Sequence, residues 1–386
     1  MAKVAKKVLM GCANYWCSPF QVGSHHIARA FMKGGWHVAF ISDPISPFHV
    51  LAGMNKELSE RFAIYRAGGI WMEKHCVWTY VPGALLTPHN KPLLRSMPVA
   101  RYWHICSFPR LKTKIKELKF DTVDLLYIDS VIHAFFLKEI FHKTSVLRIA
   151  DKNAGFGKFT STMQVLEREV ARSVDIVVYT ASNLREYVQA MHPRHMLHLP
   201  NGVNFEHFAG GSHVVPEEYR RIRRPIALYV GAMDAWFDYA LLRQAAARLP
   251  HVSFVLIGPN ARASCRLSGC PNIYLLGRKS YDVLPQYMHN ADVGLIPFNV
   301  RDHPELVHSI NPLKLYEYMA CSLPVVATAW DELRDLQTPA ILTETLEEFV
   351  DAIEHAIGSA DRNALIEYAK KHDWRERIAL LESLCQ

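Results

Sequence analysis

Short, mostly apolar runs alternate with helix-length segments along this chain, in two sets parted by a polar, basic stretch that ends at Arg224. The first set reads Val4–Gly11, Trp36–Ser42, Val123–Ile128, Val146–Ala150, Asp175–Thr180 and Met196–Pro200. Helices over Val22–Lys33, Ser130–His142, Phe159–Arg172 and 182–191 lie between them, the first ended by Gly34-Gly35. The second set reads Ile226–Val230, Phe254–Gly258, Ile273–Leu276, Val293–Pro297 and Val325–Thr328, with helices near 238–248 and 281–289. Runs that are apolar at most consecutive positions, rather than at every second one, belong to strands covered on both faces. Helices supply those covers, so the pattern predicts an α/β fold of two Rossmann-like doubly wound domains with an interdomain cleft between facing strand ends. At 386 residues the chain is long for one core and comfortable for two. The expected division is 1–203, 204–371, and a helix over 372–386 that returns to the first domain.

The segment Ser309-Ile-Asn-Pro-Leu-Lys-Leu-Tyr-Glu-Tyr318 carries the most chemical information. Pro312 suits a first helical position, where its missing N–H would be unbonded anyway, and Ser309 or Asn311 could cap the helix. The free amides and positive dipole end of such a helix favour phosphate. Lys314 adds a full charge in the first turn, and Glu317 falls on the same face, where it could hold ribose hydroxyls. The spacing therefore points to a nucleotide diphosphate. Neither Gly-x-Gly-x-x-Gly nor Gly-x4-Gly-Lys-Ser/Thr is present, which argues against a dinucleotide oxidoreductase or a P-loop enzyme. Asp-x-Asp is missing too, so the diphosphate charge is expected to be met by Lys314 and main-chain amides, with no metal and no cofactor.

Asp151 closes the apolar run Val146-Leu-Arg-Ile-Ala150, which places it at a carboxyl strand end, where a base for a sugar hydroxyl is needed. Its alternative role is to cap a turn. His25 and His26, at the start of the first helix, are rival bases, although paired histidines there more often pack or lie at the surface. Eight cysteines are scattered without zinc-site spacing and are expected to be reduced.

The formal charge is +7, and it is uneven. Between Lys74 and Phe120 nine basic residues face one acid, a local balance of +8, so the remainder is near −1. The same stretch holds Trp78, Tyr80, Tyr102, Trp103 and Phe108 interleaved with its basic residues, among which Arg110, Lys112, Lys114 and Lys116 stand close together. Cations with interfacial aromatics suit an anionic membrane surface. A nucleic-acid groove uses similar residues but ranks lower, and a solvated basic face is the plain alternative. The amino-terminal apolar run is too short for a signal sequence or a membrane span.

Taken together, Pro200-Asn-Gly-Val-Asn204, Tyr229-Val-Gly-Ala-Met233, Asn272-Ile-Tyr-Leu-Leu-Gly-Arg278, Asn290-Ala-Asp-Val-Gly-Leu-Ile-Pro-Phe298 and the segment above resemble glycosyltransferases of the GT-B type. More narrowly, Ser18-Pro-Phe-Gln-Val-Gly-Ser-His-His26, Ser42-Asp-Pro-Ile-Ser-Pro47 and the Asp151 region are similar to the inner-membrane glucuronosyltransferase of xanthan biosynthesis and its relatives. That resemblance implies an inverting transferase moving glucuronate from UDP-glucuronate to a mannose of a polyprenyl-diphosphate-linked oligosaccharide through a β-1,2 link. It also implies a monomer held peripherally at the cytoplasmic face of the inner membrane, with Asp151 as base. Met233, Arg278, Lys279, Phe298, Ser309, Leu313, Lys314 and Glu317 match positions around the uridine diphosphate. His25, His26, Trp103, Arg110, Lys112, Lys114 and Lys116 are expected at the acceptor or membrane surface. Retaining relatives carry Glu-x7-Glu, where this chain has Ser309 and Glu317. A transferase using another nucleotide sugar, or a nucleotide-sugar epimerase, is the alternative.

Overall fold

The computed structural model describes residues 5–152, 159–259, 261–359 and 361–383. The chain forms two compact units, Met1–Leu199 with Ile378–Gln386, and Pro200–Arg377.

In the N-terminal unit eight strands form one sheet: β1 (Lys7–Cys12), β2 (His37–Ser42), β3 (Ile70–Met72), β4 (Val77–Tyr80), β5 (Thr122–Ile128), β6 (Phe141–Ile149), β7 (Ile176–Tyr179) and β8 (His195–His198). Their order is β3-β4-β2-β1-β5-β6-β7-β8. Every ladder is parallel except the β3–β4 pair. The chain builds outward from β1 on one side and then crosses to β5 on the other, so the topological switch lies between β1 and β5. Ligands of such sheets bind outside the carboxyl ends at that point. Asp43, Asp129 and Asp151 follow β2, β5 and β6 at those ends. The closing helix contributes here through Glu382, whose carboxylate accepts a hydrogen bond from the Trp36 indole at 2.5 Å.

The C-terminal unit carries β9 (Ile226–Val230), β10 (Ser253–Ile257), β11 (Ile273–Gly277), β12 (Val293–Ile296), β13 (Val325–Thr328) and β14 (Ile341–Thr343). They are ordered β11-β10-β9-β12-β13-β14, all parallel. Its switch point lies between β9 and β12, and Gly231 and Phe298 stand just past it. β9 and β10 are buried along their whole length, as continuous apolar runs require.

The sequence reading departs from this architecture at β3 and β14, which it lacked, and at two further places. The helix expected over Ser130–His142 is a 3-10 turn, Val131–His133, and a short helix, Phe136–Glu139, because β6 already begins at Phe141. The first residues of β6 alternate between exposed and half-buried, which masks a strand as a polar surface segment. β4 was hidden in the basic aromatic stretch, yet Trp78 and Tyr80 are core residues, stacked at 5.3 Å.

Some residues of the resemblance motifs turn out to hold the scaffold. The Asp292 carboxylate accepts from the Ile226 main chain at 2.7 Å and from Arg224 at 2.6 Å, which fixes the start of β9. Asn272 Nδ2 lies 3.0, 3.0 and 2.9 Å from the carbonyls of Ala246, Leu249 and Val252, which end the helix Tyr239–Arg248 and lead into β10. Helix-end carbonyls without such a donor are costly to bury. Asn272→Ala is expected to lower the stability of this unit by about 1–3 kcal/mol, read as a lower urea midpoint in circular dichroism.

Candidate functional site

In the C-terminal unit the helix Leu313–Ala320 begins with Pro312 as its cap residue and without a side-chain cap hydrogen bond. The capping expected of Ser309 and Asn311 is therefore corrected. Ser309 turns its hydroxyl to the Leu306 carbonyl at 3.4 Å, and Asn311 donates to Glu332 at 2.8 Å while accepting from Tyr316 at 3.1 Å. Asn201 donates to the Asn311 carbonyl at 2.7 Å. The network clamps the loop before the helix and leaves its opening amides for another acceptor.

Lys314 projects from the first turn with its ammonium 4.9 Å from the Phe298 ring centroid and 5.3 Å from that of Tyr229. No ion pair within 4 Å engages it among the described residues. Burial pushes its pKa down to about 8, partly opposed by Glu317. Glu317 is itself buried, and that burial pushes its carboxyl up to about 7 against the pull of Lys314. A half-buried cation held by ring faces gains from an arriving anion. Two glycines make room for it. Gly231 has φ +149°, and a Cβ there would stand 3.1 Å from Lys314 Cε; a Cβ on Gly258 would fall 2.0 Å from the Gly231 carbonyl oxygen. Met233 is buried alongside, its methyl 3.5 Å from that Gly258 position and its carbonyl accepting from Tyr239 at 2.6 Å.

Met233, Phe298 and Lys314 are thus brought together, with Leu313 half-buried at the helix start. Arg278 is exposed just past β11. Lys279 is bound to Glu218 at 2.5 Å and sits over the Tyr287 ring, so its charge is already matched. Tyr229 and Trp330 escaped the sequence reading. Trp330 stacks on Phe298 at 5.3 Å and donates to the Ile310 carbonyl at 3.0 Å, which fixes the ring under Lys314. Trp330 offered only an aromatic just past a buried strand, while Tyr229 opened one of the resemblance motifs without being singled out. Arg301 lines a separate polar cavity of about 890 Å³ with Phe298, Thr328, Arg334 and Glu344.

In the N-terminal unit Asp151 stands half-buried past the end of β6, and residues 153–158, which follow it in the sequence motif, lie outside the described residues. Burial pushes its carboxyl up to about 6, with the Arg148 guanidinium holding it down and the Asp129 carboxylate pushing it further up. The two histidines are not at a surface. The buried His25 ring packs between Trp16 and Phe40, lies 3.0 Å from the Tyr15 carbonyl through Nε2 and accepts from the Val22 main chain at 3.2 Å. Burial lowers its pKa to about 4, so a neutral ring holds the loop to the helix. His26 is buried as well.

Trp103, expected at the membrane or acceptor surface, is only 1 % exposed and donates to the Ile132 carbonyl at 2.9 Å. The indole's large apolar body puts it in the core. Arg110, Lys112 and Lys116 are exposed, and Lys114 pairs with Glu117 at 3.0 Å. The apolar residues beside them in solvent are Tyr102, Ile105 and Phe108, the last 78 % exposed. Main-chain hydrogen bonds tie this segment to two others: Leu85 N to Cys106 O at 3.1 Å, Phe108 N to Gly83 O at 2.9 Å and Ala84 N to Ile45 O at 2.9 Å. Those segments expose Phe48, Leu51, Met54, Leu85 and Leu93.

Two family descriptions match the chain. Residues 10–180 match the glucuronosyltransferase GumK N-terminal domain, and residues 224–359 match glycosyl transferases group 1. TuaH of Bacillus subtilis (strain 168), assigned to teichuronic acid biosynthesis as a glycosyltransferase, is 27% identical over 188 residues. That match spans 45% of this chain and about half, 46%, of TuaH. Among solved structures, Anabaena Alr3699/HepE in complex with UDP and glucose superimposes with a TM-score of 0.63 at 15% identity, covering 98% of this chain and 99% of that one. The E. coli trehalose-6-phosphate protein bound with UDP-2-fluoro glucose gives 0.67 at 13% identity and 99% coverage of both. Sucrose-phosphate synthase from Thermosynechococcus elongatus gives 0.62 at 17% identity, covering 98% and 96%. The fold is GT-B, and the chain resembles GT-B glycosyltransferases of the GumK kind.

Lys314 must be protonated to attract a diphosphate, and burial has lowered its pKa toward 8. Affinity for uridine diphosphate is therefore expected to fall as pH rises from 7 to 9, by roughly tenfold. Lys314→Arg, whose guanidinium stays charged, should flatten that slope in calorimetric titrations.

Proposed function

We propose that this chain is an inverting glycosyltransferase of polysaccharide biosynthesis that moves glucuronate from UDP-glucuronate to a mannose of a polyprenyl-diphosphate-linked oligosaccharide, forming a β-1,2 link. The observation that carries the transferase reading is Lys314, desolvated over Phe298 and Tyr229 at an uncapped helix start. The solved neighbours with UDP, or a UDP sugar, support a uridine diphosphate donor, and the match to the GumK N-terminal domain supports glucuronate.

In this reading the Asp151 carboxylate accepts the proton of the acceptor hydroxyl while that oxygen bonds to the anomeric carbon. The bond from that carbon to the diphosphate breaks on the opposite face, which inverts the centre. Lys314 and the helix amides offset the charge that develops on the departing diphosphate, so the protein's own groups meet that charge without a metal. Glu317 holds ribose hydroxyls, while Met233, Leu313, Phe298 and the turn at Arg278-Lys279 frame the nucleotide. Arg301, lining a polar cavity next to Phe298, is the candidate partner for the sugar carboxylate. A neutral-sugar donor is the second reading, favoured by the glucose-containing complexes of the solved neighbours.

The acceptor is proposed to be reached at an anionic bilayer surface, by a monomer peripheral to the cytoplasmic face of the inner membrane. Among the described residues no helix is long and apolar enough to cross a membrane. The three laced segments put exposed apolar side chains beside Arg110, Lys112 and Lys116. Each cation near such a surface contributes about 1 kcal/mol.

Wild-type protein with UDP-glucuronate and a lipid-linked acceptor extract is expected to release UDP and label the lipid, and Asp151→Asn to do so about 10²- to 10⁴-fold more slowly. Lys314→Ala should weaken donor binding by about 10²-fold or more. Transfer from UDP-glucose or UDP-N-acetylglucosamine instead would overturn the donor. Neutralising Arg110, Lys112, Lys114 and Lys116 together should free the protein from anionic vesicles in sedimentation; unchanged binding would remove the membrane surface.

A further inference from the structure

Arg148 occupies a place where the fold asks for an apolar residue. It stands in β6 among the buried Val146, Leu147 and Ile149, with its side chain 5 % exposed. Its Nη1 donates to Asp129 Oδ1 at 3.0 Å. The Asp129 main chain is in turn fixed by donating to the Gly11 carbonyl at 2.8 Å. A bond between β5 and β6 does not explain the pair, because those strands are already laddered from Thr122 to Ile128. Nor does stability, since buried ion pairs are often replaceable by apolar residues at no loss.

We infer that Arg148 and Asp129 are positioning residues for Asp151, two opposed and immobilised charges whose balance sets whether that carboxylate carries a proton. The inference rests on the reading of Asp151 as the base. The charges that act on Asp151 are those of Arg148 and Asp129. Four other titratable groups at these strand ends, Cys12, Tyr127, His133 and Asp43, are shifted toward their neutral forms. Burial pushes Cys12 on β1 and Tyr127 on β5 well up and holds His133, in the turn after β5, down to about 3. Asp43, past β2, is raised to about 7 by burial, and its Oδ1 lies 3.7 Å from His133 Nδ1. Lys152 follows Asp151 in the chain.

The arrangement answers a conflict that any buried base faces. A carboxyl desolvated alone keeps its proton at neutral pH, and one beside an uncompensated guanidinium gives it up too readily to be a good base. Arg148 corrects the first fault and Asp129 limits the correction.

The test is a carboxyl-carbon NMR titration of the full chain labelled with [γ-¹³C]aspartate, with Asp151 assigned by the signal lost in Asp151→Asn. Asp129→Asn removes the raising charge, so the Asp151 midpoint should move down by on the order of one pH unit. In Arg148→Met/Asp129→Asn neither residue is left as a buried unpaired charge. There the midpoint should move up, because Arg148 acts on Asp151 more strongly than Asp129 does. Each variant has its own sign, so either one decides the matter if the other fails to fold by circular dichroism. Midpoints unchanged, or displaced in the same direction in both variants, would overturn the inference. The acid limb of kcat/KM in Asp129→Asn should follow its midpoint downward. Undiminished transfer by Asp151→Asn would dismiss the base itself, while the titration would still decide the pair.

Discussion

Desolvation of charge at the carboxyl ends of parallel strands is the constraint around which both halves of this protein are arranged. Lys314 gives up water for two ring faces and a glycine main chain, and it meets no counter-ion within 4 Å among the described residues. An ammonium so placed is unfavourable in the empty protein. The cost is carried by the surrounding fold: by the Asn311 network that clamps the preceding loop, by Trp330 beneath Phe298, and by β9, buried along its length. What the isolated protein loses there, an anionic ligand restores on arrival, and in our proposal that ligand is a nucleotide diphosphate.

The N-terminal unit meets the same constraint with the sign reversed. Carboxylates collect past β2, β5 and β6, and the buried Arg148 guanidinium stands among them. Burial raises the Asp151 carboxyl to about 6 against the pull of Arg148; in our proposal that gives a base that is ionised near neutral pH and still has some affinity for a proton. The histidines His25 and His133 are neutral by the same physics, since burial drives the imidazolium out, in His133 even with Asp43 Oδ1 3.7 Å away.

Much of the fold could be read from the sequence, because buried parallel strands leave a largely apolar record. β1, β2, β5, β7, β9, β10, β12 and β13 all announce themselves in this way. β6 was half hidden because its first residues alternate exposure at an uncovered end, and β4 because its tryptophan and tyrosine resembled surface aromatics among lysines. The site was legible where chemistry is local, as with Lys314 in the first turn of a helix. It was not legible where chemistry is supplied across strands: Tyr229 and Trp330 reach Lys314 and Phe298 from other strand ends, and Arg148 finds Asp129 on the neighbouring strand. Trp103 shows the converse error, since composition cannot say which of several adjacent aromatics turns inward.

The contact between Gly231 and Gly258 bears on how this protein could change. Main chain meets main chain there, with no space for even a methyl group on the second glycine. The depth of that pocket is therefore written into the backbone path of two strand ends, where no single amino-acid replacement can deepen or fill it without moving the sheet. Natural or laboratory diversification toward other ligands is left to peripheral positions such as Arg278 and Arg301, which are exposed and can vary without disturbing what lies below. Lineages descended from such a protein should diverge at the margin and keep a common base.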